Sequence, residues 1–428
     1  MKLLVSLLMA GICSSTLAAQ APKNIIMIVG DGMGPAYPTA YRMFADDMST
    51  PEVEQTVFDR NLVGMASTHP HLNSGYVTDS AAGATALSSG IKTYNGAIAV
   101  DVDKKAVRTV LELAKQQGRK TGVAVTSQIN HATPAGFSAH NESRQNYDVI
   151  ANSYFDDRIE GNFVLDVMLG GGWKYFARDD RDLTKEFQQA GYQYIDDIAK
   201  LDQLQKGKSV LGLFADTGLP WALDSTNKQR LPQLTKAAIA QLENENGFFL
   251  LAEASQVDWA GHANDIAAAM WEMRDLAITL EWLEQYVKDH PDTLVVLTAD
   301  HNTGGVSIGA NGKYKWEPKI LRQMDVSPTE ISKQLVDSKN RGELASSLLK
   351  FQLTAEESAT LDKPTKEKEL YNAIKKIIDV RTSTGWTSGG HTGVDVPVFA
   401  MGAGREMFIG HSDNTDIAKK IFELLQAK

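Results

Sequence analysis

Short runs of apolar residues, many of them β-branched, recur along the chain and alternate with segments of helical periodicity. Unbroken apolar runs are typical of strands that are buried on both faces of a parallel sheet. The clearest runs lie at residues 24–32, 121–127, 248–255, 293–301 and 396–402, and the clearest helical segments at 106–118 and 265–290. This alternation predicts an α/β fold with a large, mostly parallel central sheet and helices on both of its faces.

The alternation breaks at about residues 306–381, where charged residues are frequent and strand signals are weak. Ser327, Pro328 and Glu330 form a helix start there, with a capping serine, a proline at the first helical position and a glutamate three residues after the cap. We therefore predict a helical insertion at the rim of the sheet. The alternative interpretation of this stretch is a mobile charged loop.

The first part of the chain has the pattern of an export signal, because Lys2 precedes an apolar stretch at residues 3–12 and small residues follow. We predict that residues 1–19 are a cleaved signal peptide and that residues 20–428 form one large domain with the insertion. The apolar stretch is too short to span a bilayer, so we expect a periplasmic or secreted protein without a membrane anchor. The only cysteine, Cys13, lies in this segment, so the exported protein would have no disulfide bond.

Composition fits a large globular protein and narrows the range of its partners. The chain has 428 residues, of which 43% are hydrophobic, and this is enough for an extensive core. Its formal net charge is -10 and it has no sustained run of Lys or Arg, so the sequence predicts no nucleic-acid-binding surface. An acidic protein that binds an anion needs local positive charge, which metal ions or single arginines can supply.

Potential metal ligands follow the predicted strands. Because ligands bind beyond the carboxyl ends of the strands in open parallel sheets, we expect these side chains in one crevice. Taken singly, an aspartate after a strand is more often a turn former or a helix cap, and the set as a whole favours a site. The set comprises Asp31, His131, Thr133, Glu253, Asp258, His262, Asp300 and His301. Asp31, Thr133 and Glu253 offer only oxygen atoms, which suits magnesium.

Spacing within this set favours more than one metal ion. Asp258 and His262 stand four residues apart, which places both on one face of a helix. Asp300 and His301 can straddle two ions from a turn beyond their strand. His391 lies in a glycine-rich loop, where a ligand can approach the backbone closely. Mixed ligation by aspartate and histidine suits zinc.

The stretch VTDSAAGATALSSG at residues 77–90 puts Asp79 and Ser80 in front of very small residues at a predicted helix start. The free N–H groups and the positive dipole end of a helix N-terminus attract anions, so Ser80 is well placed to meet one. A neighbouring zinc ion would favour the deprotonated, nucleophilic form of the serine. The small residues would let the helix pack close to the strand that leads to Asp31. The alternative is an ordinary helix-capping serine.

Five stretches together resemble motifs of the alkaline phosphatase family: VGDGMG, VTDSAAGATAL, EASQVDWAGH, TADHNTGG and GGHTGVDVPVFAMG. They span residues 29–402, and in combination they are highly specific. The resemblance implies a metal-dependent phosphomonoesterase with an alkaline pH optimum that acts on a broad range of small-molecule phosphate monoesters. It also implies that Ser80 becomes phosphorylated, that Arg144 binds two phosphate oxygens, and that residues 20–428 form the catalytic domain.

The same resemblance implies two zinc ions and one magnesium ion in each chain. It assigns three ligands to each ion, and one aspartate is shared between the second zinc and the magnesium. The ligands of the first zinc would be Asp258, His262 and His391, those of the second Asp31, Asp300 and His301, and those of magnesium Asp31, Thr133 and Glu253.

The chain departs from the best-known bacterial members at two positions near these ligands. His131 and Trp259 stand where those members have an aspartate and a lysine, and in this the chain is similar to marine-bacterial members with a long insertion. The difference bears on the magnesium affinity and on the surroundings of the phosphate, to which Asp79 also belongs. The resemblance further implies that the insertion serves homodimer association and the rim of the active site, a role that the apolar faces of its helices favour.

Two other classes of function remain open. A phosphodiesterase or a sulfatase could use a related metal-binding fold, but a sulfatase requires an arginine shortly after its modified Cys or Ser, and none follows Ser80 in that way. Diesterases usually have a threonine nucleophile and lack an arginine like Arg144. A non-catalytic phosphate-binding or zinc-binding protein would keep the metal ligands but would have no use for a serine between them.

Overall fold

The computed structural model describes residues 21–226 and 228–427, so the predicted signal peptide at residues 1–19 lies outside the described residues. The strands of the described part are β1 (Asn24–Val29), β2 (Leu62–Ser67), β3 (Lys120–Gln128), β4 (Arg158–Ile159), β5 (Asn162–Phe163), β6 (Val167–Gly171), β7 (Gln193–Ile195), β8 (Val210–Leu213), β9 (Phe248–Glu253), β10 (Thr293–Thr298), β11 (Asn302–Thr303), β12 (Ser307–Ile308), β13 (Thr384–Gly385), β14 (His391–Thr392), β15 (Val396–Gly402) and β16 (Gly410–Asp413).

The α-helices of the same part are α1 (Ala36–Ala45), α2 (Val57–Asn61), α3 (Ser80–Ser89), α4 (Val110–Gln116), α5 (Ala132–Ser138), α6 (Tyr147–Asp156), α7 (Trp173–Phe176), α8 (Leu183–Gln189), α9 (Arg230–Leu242), α10 (Gln256–Ala263), α11 (Ile266–Asp289), α12 (Lys319–Arg322), α13 (Pro328–Val336), α14 (Arg341–Leu349), α15 (Ala355–Asp362), α16 (Glu367–Thr382) and α17 (Asn414–Gln426). None of the helices in the described ranges is both long enough and apolar enough to span a bilayer.

The main sheet has ten strands in the order β16-β2-β15-β10-β1-β9-β3-β6-β8-β7. Neighbouring strands are parallel except at β15, which pairs antiparallel with β10 and with β2. A single strand therefore runs against the others. The predicted large, mostly parallel sheet is confirmed.

Helices flank this sheet and bury its central strands. All residues of β1, β9 and β10 are buried, which explains why their sequences are apolar between their terminal residues. One group of packed helices contains α3, α4, α5 and α17, and a second contains α1, α9, α10 and α11. The helix predicted at 106–118 is shorter than expected, because Thr109 caps it and α4 begins at the next residue.

The ends of three neighbouring strands define one edge of the sheet. Val29 of β1 pairs with Glu253 of β9 and with Thr298 of β10, and each is the last residue of its strand. Residues that follow these strands therefore lie beyond the same edge. β15 runs in the opposite direction, so its first residue, Val396, lies at that edge too. The segment before β15, which carries His391, is thereby brought beside the strand ends.

The stretch at 306–381 is folded and largely helical, with α12 to α15 and most of α16, rather than a mobile loop. α13 begins as predicted, because the Ser327 side chain accepts a hydrogen bond from the Glu330 N–H and Pro328 is the first helical residue. Apart from Val380, which is 47% exposed, the large apolar residues of these helices are buried or half-buried within the chain itself, and the buried ones include Ile331, Leu335, Leu349, Leu370 and Ile374. Most of these side chains therefore need no second chain to cover them, and the homodimer stays a prediction without this support.

Candidate active site

Four buried side chains from four strands define the candidate site. Asp31 follows β1, His131 follows β3, Glu253 ends β9 and Asp300 follows β10, and none is more than 7% exposed. Carboxylates at this depth are costly unless hydrogen bonds or cations compensate their charge. The four side chains lie at the sheet edge where the sequence predicted a crevice.

Ser80 is the first residue of α3 and not its cap. Asp79 takes the capping position, and its Oδ1 accepts hydrogen bonds of 3.0 Å from the backbone N–H groups of Ala82 and Gly96. The Ser80 hydroxyl is therefore not used for capping, and its Oγ lies 3.1 Å from Nε2 of His301. The interpretation of Ser80 as an ordinary capping residue is wrong.

The small residues of α3 permit close packing around this serine. A Cβ on Gly83 would lie 2.9 Å from Cβ of Asp300, and a Cβ on Gly136 of α5 would lie 2.9 Å from Cβ of Ala84. We expected α3 to pack against the strand that leads to Asp31, whereas the tight contact of Gly83 is with Asp300, beyond the neighbouring strand. This contact places the first turn of α3 next to Asp300, just beyond the end of β10.

Asp258, His262 and His391 form the first group of possible metal ligands, with ligand atoms within 4.8 Å of one another. Nε2 of His262 lies 3.1 Å from Nε2 of His391 and 3.4 Å from Oδ1 of Asp258. Nδ1 of His262 lies 2.7 Å from the carbonyl oxygen of Gly389. Nδ1 of His391 lies 2.8 Å from the carbonyl oxygen of Thr78. An Nδ1–H that donates to a carbonyl leaves the Nε2 lone pair free for a cation.

Asp31, Asp258 and His301 form a second group. Nε2 of His301 lies 3.4 Å from Oδ1 of Asp31 and 3.3 Å from Oδ2 of Asp300. The sequence assigned Asp31, Asp300 and His301 to one zinc ion, and the structure adds Asp258 to their surroundings. Burial, together with the nearby His391, lowers the pKa of His301 well below its usual value, so its imidazole is neutral, as a metal ligand must be.

Asp31, His131 and Glu253 form a third group. The predicted magnesium set was Asp31, Thr133 and Glu253, and the structure brings an imidazole nitrogen within reach of it. Burial lowers the pKa of His131 to about 3, so this ring is also neutral and has a lone pair to donate. Oγ1 of Thr133 is buried and has no hydrogen-bond partner among the described residues, which leaves it available as a ligand.

Two serines orient the carboxylate of Glu253. Its Oε2 accepts hydrogen bonds from the hydroxyl groups of Ser255 at 2.6 Å and Ser127 at 3.2 Å. Its Oε1 is buried and accepts none within the described structure. Burial raises the pKa of Glu253 to about 7, although the hydrogen bonds from the serines act against the rise. Oε1 is therefore the oxygen that this carboxylate offers to a cation.

The buried carboxylates fit divalent cations. Both carboxylate oxygens of Asp31 and Oδ2 of Asp300 are buried and accept no hydrogen bond in the part of the chain that is described. Burial raises the pKa of Asp31 and Asp300 well above the usual value, and the neighbouring carboxylates raise it further. Buried polar atoms need partners and concentrated negative charge needs cations, so metal binding would satisfy both requirements.

Arg144 supplies positive charge beside the serine. Its Nη1 donates to Oδ2 of Asp79 at 3.0 Å, and its Nη2 lies 3.3 Å from Nε2 of His131. Its backbone N–H donates to the carbonyl of Gly96, and the N–H of Gly96 donates to Asp79. A guanidinium has five N–H donors, so these contacts leave donors for two oxygens of a phosphate.

Trp259 lies on α10 beside the third group. Its ring meets that of His131 edge to face, with the centroids 6.1 Å apart. A Cβ on Gly218 would lie 2.2 Å from the indole, so the ring is held between that loop and the histidine. The structure thus places an uncharged aromatic ring next to His131, at the position where the best-known bacterial members have a lysine.

The residues that hold these ligands in place were not predicted from the sequence. Thr303 donates a hydroxyl hydrogen bond to Oδ1 of Asp258, and its oxygen lies 3.1 Å from Nδ1 of His301. Ser127 and Ser255 lie near the ends of strands, and this position is a signal that could have identified them. The backbone carbonyl groups that face Nδ1 of His262 and of His391 cannot be identified from the sequence, because every residue type has a backbone carbonyl.

Comparisons with known proteins agree with this geometry. The family model described as alkaline phosphatase matches residues 22–427. Alkaline phosphatase 3 of Bacillus subtilis is 47% identical over 413 residues, which cover 94% of this chain and 89% of the relative. The crystal structure of a cold-active alkaline phosphatase from a psychrophilic Shewanella sp. has a TM-score of 0.90 at 50% identity, and the match covers 94% of this chain and 100% of that one.

A solved structure of the alkaline phosphatase from the Antarctic bacterium TAB5 is also similar, with a TM-score of 0.70, 27% identity and coverage of 96% of this chain and 99% of that one. A histidine-to-glutamate mutant of the TAB5 enzyme is described with Mg bound in its M3 site.

Proposed function

The chain belongs to the alkaline phosphatase family, and from that premise we propose that it hydrolyses a broad range of phosphate monoesters through a phosphoserine intermediate on Ser80. The position of the Ser80 hydroxyl carries the proposal. Its Oγ takes no part in capping and lies 3.1 Å from Nε2 of His301. The residue before it, Asp79, binds the guanidinium of Arg144. A phosphate bound by Arg144 would therefore lie close to the nucleophile.

The reaction would proceed in two displacements. Ser80 attacks phosphorus, so that an Oγ–P bond forms and the bond to the ester oxygen breaks. Water then attacks the phosphoserine, the Oγ–P bond breaks and phosphate leaves. Arg144 holds two phosphoryl oxygens throughout, and the N-terminus of α3 adds its positive dipole end. Both the serine and the attacking water must lose a proton, which favours alkaline pH.

We assign zinc to the two mixed aspartate-histidine groups and magnesium to Asp31, Thr133 and Glu253. When bound, these ions would act as Lewis acids toward the attacking and leaving oxygens. Imidazole nitrogen suits zinc and an all-oxygen set suits magnesium, although His131 within reach of the third group weakens the preference for magnesium. The TAB5 mutant with Mg in its M3 site supports a magnesium site in a related enzyme. Metal analysis of the purified protein should give two zinc ions per magnesium ion.

Three esters assayed side by side test the proposed reaction. We expect the protein to hydrolyse p-nitrophenyl phosphate far faster than bis-p-nitrophenyl phosphate or p-nitrophenyl sulfate. Charge is the reason, since the diester and the sulfate each carry one negative charge where the monoester dianion carries two, and both therefore bind less strongly to the Arg144 guanidinium. Faster hydrolysis of the diester would favour the phosphodiesterase alternative, and faster hydrolysis of the sulfate would favour the sulfatase. Binding of phosphate without hydrolysis of any ester would favour the non-catalytic alternative.

We also propose that the protein is exported to the periplasm or the medium and forms a homodimer. Export is supported by the sequence pattern at residues 1–19, and the homodimer by the resemblance to related enzymes. N-terminal sequencing of the exported protein should begin at about residue 20. Light scattering should give about twice the mass of one chain. A protein that keeps residues 1–19 or has the mass of a single chain would contradict the corresponding proposal.

A further inference from the structure

One face of α16 carries three side chains that contact the chain segments next to the first group of metal ligands. Tyr371, Lys375 and Asp379 are spaced four residues apart, so they form a continuous stripe along the helix. All three are half-buried, whereas the neighbouring Lys376 is exposed. The stripe lies in the predicted insertion, more than 100 residues from Asp258 and His262 in the sequence.

The first part of the stripe binds the corner between α10 and α11. The ammonium group of Lys375 donates to the carbonyl of Ala263, which is the last residue of α10 and the neighbour of His262. The hydroxyl of Tyr371 donates to Oδ2 of Asp265 at 2.9 Å, and Oδ1 of Asp265 caps α11. Carbonyl groups in the last turn of a helix lack partners within the helix, so Lys375 fills a real deficit at the end of α10.

The second part of the stripe binds the loop that carries His391. Oδ1 of Asp379 accepts a hydrogen bond of 3.2 Å from the indole N–H of Trp386. The Trp386 ring packs on Gly304 so closely that a Cβ there would lie 2.8 Å from the ring. Gly389, three residues further, is the residue whose carbonyl oxygen lies 2.7 Å from Nδ1 of His262.

Both parts of the stripe thus contact segments that adjoin the same histidine, His262. Lys375 fixes the backbone next to His262, and Asp379 fixes the loop whose carbonyl orients its ring. The partner of a ligating histidine's second nitrogen sets both the orientation of the ring and the affinity for the metal. We propose that the Tyr371, Lys375 and Asp379 face of α16 positions His262 and the loop that carries His391, and thereby sets how tightly the first group holds its zinc ion. This inference rests on the proposed role of that group as a zinc site.

Zinc affinity measured by competition with a chromophoric chelator tests this proposal without an activity assay. Lys375→Met keeps the packing of the stem but removes the donor, and Lys375→Arg keeps a cationic donor. Lys376→Met is the matched control, because it makes the same change at an exposed position on the same helix. His262→Ala identifies which zinc-binding step belongs to the first group.

We expect Lys375→Met to weaken that one step by about 10-fold to 100-fold, as loss of a supporting contact does in other metal sites. Lys375→Arg should recover most of the affinity, and Lys376→Met should match the parent. Trp386→Phe, which removes only the N–H that binds Asp379, should weaken the same step. If Lys375→Met does not fold, the zinc affinity of Trp386→Phe alone tests the proposal.

Unchanged zinc affinity in Lys375→Met and Trp386→Phe would overturn the proposal, and so would an equal loss in Lys376→Met. A lower melting temperature of the metal-free protein without a change in zinc affinity would also overturn it, because that result indicates ordinary packing. If the parent protein shows no zinc-binding step that is lost in His262→Ala, the proposed metal site itself is refuted. The two failures are therefore distinguishable.

Discussion

Thr303 offers a sharp test of how the candidate ligands are held, because one hydroxyl links two of the groups. It donates to Oδ1 of Asp258, and its lone pair faces Nδ1 of His301 at 3.1 Å. A Cβ on Gly32 would lie only 2.7 Å from this hydroxyl, and one on Gly261 only 3.0 Å from Cβ of Thr303. The side chain is fully buried, so water cannot readily replace a lost hydroxyl.

Thr303→Val keeps the shape of the side chain and removes both hydrogen bonds. A bond to a charged carboxylate contributes about 1.5–3 kcal/mol, and a bond between neutral groups contributes about 1 kcal/mol. The total loss is therefore about 2.5–4 kcal/mol, shared between folding and metal binding. Because about 1.4 kcal/mol corresponds to a tenfold change in affinity, we expect zinc to bind about 10-fold to 100-fold more weakly.

Competition with a chromophoric chelator at constant pH would measure this change. Thr303→Ser is the matched control, because it keeps the hydroxyl and loses only the methyl group. The reasoning is refuted if Thr303→Val binds zinc within about twofold of the parent, a difference well below 1 kcal/mol. It is also refuted if Thr303→Ser loses as much affinity as Thr303→Val.

Three further predictions follow from the site and from α16. Removal of metal by a strong chelator should abolish hydrolysis and lower the melting temperature. A reductant should change neither in a protein without residues 1–19. Activity that survives verified metal removal would contradict the mechanism. The double variant His131→Asp, Trp259→Lys should bind magnesium more tightly. It should also have a lower phosphate inhibition constant and a lower turnover number, because lysine adds a cation near the phosphate and tighter product binding slows release. An inhibition constant equal to that of the parent would show that these positions do not tune product release. Burial raises the pKa of Asp379 to about 7, so its contribution to stability is fully present below the usual carboxyl pKa and is lost as the pH rises toward 7. Urea unfolding of the metal-free protein should show a flatter dependence on pH between about 4 and 7 for Asp379→Asn than for the parent, and parallel curves would rule this out.

The architecture was predictable because burial on both faces leaves a strong local signal. The interiors of β1, β9 and β10 are apolar, and the polar residues at or just beyond their carboxyl ends indicated the edge where Asp31, Glu253 and Asp300 meet. The direction of β15 was not predictable, because a buried antiparallel strand has the same apolar character as a parallel one. That direction is what brings His391 to the site.

The candidate site was predictable as a set of side chains, but not the contacts that orient them. Asp79 and Ser80 were both identified, yet only the backbone conformation shows that the aspartate caps α3 and frees the serine. The apolar faces in the 306–381 stretch suggested a second chain, whereas the fold itself covers most of their large side chains. Lys375 reads as one of many charged residues on a helix, because its carbonyl partner more than 100 residues away has no side-chain signal.

Trapping of the phosphorylated intermediate would show whether Ser80 is the nucleophile. The protein would be mixed with a phosphate monoester labelled with 32P, quenched in acid within the first turnovers, digested and analysed by mass spectrometry. The account predicts that the label is on the peptide that contains Ser80, and that Ser80→Ala binds its metal ions but carries no label. Label on any other residue, or rapid hydrolysis by Ser80→Ala, would contradict the proposed function.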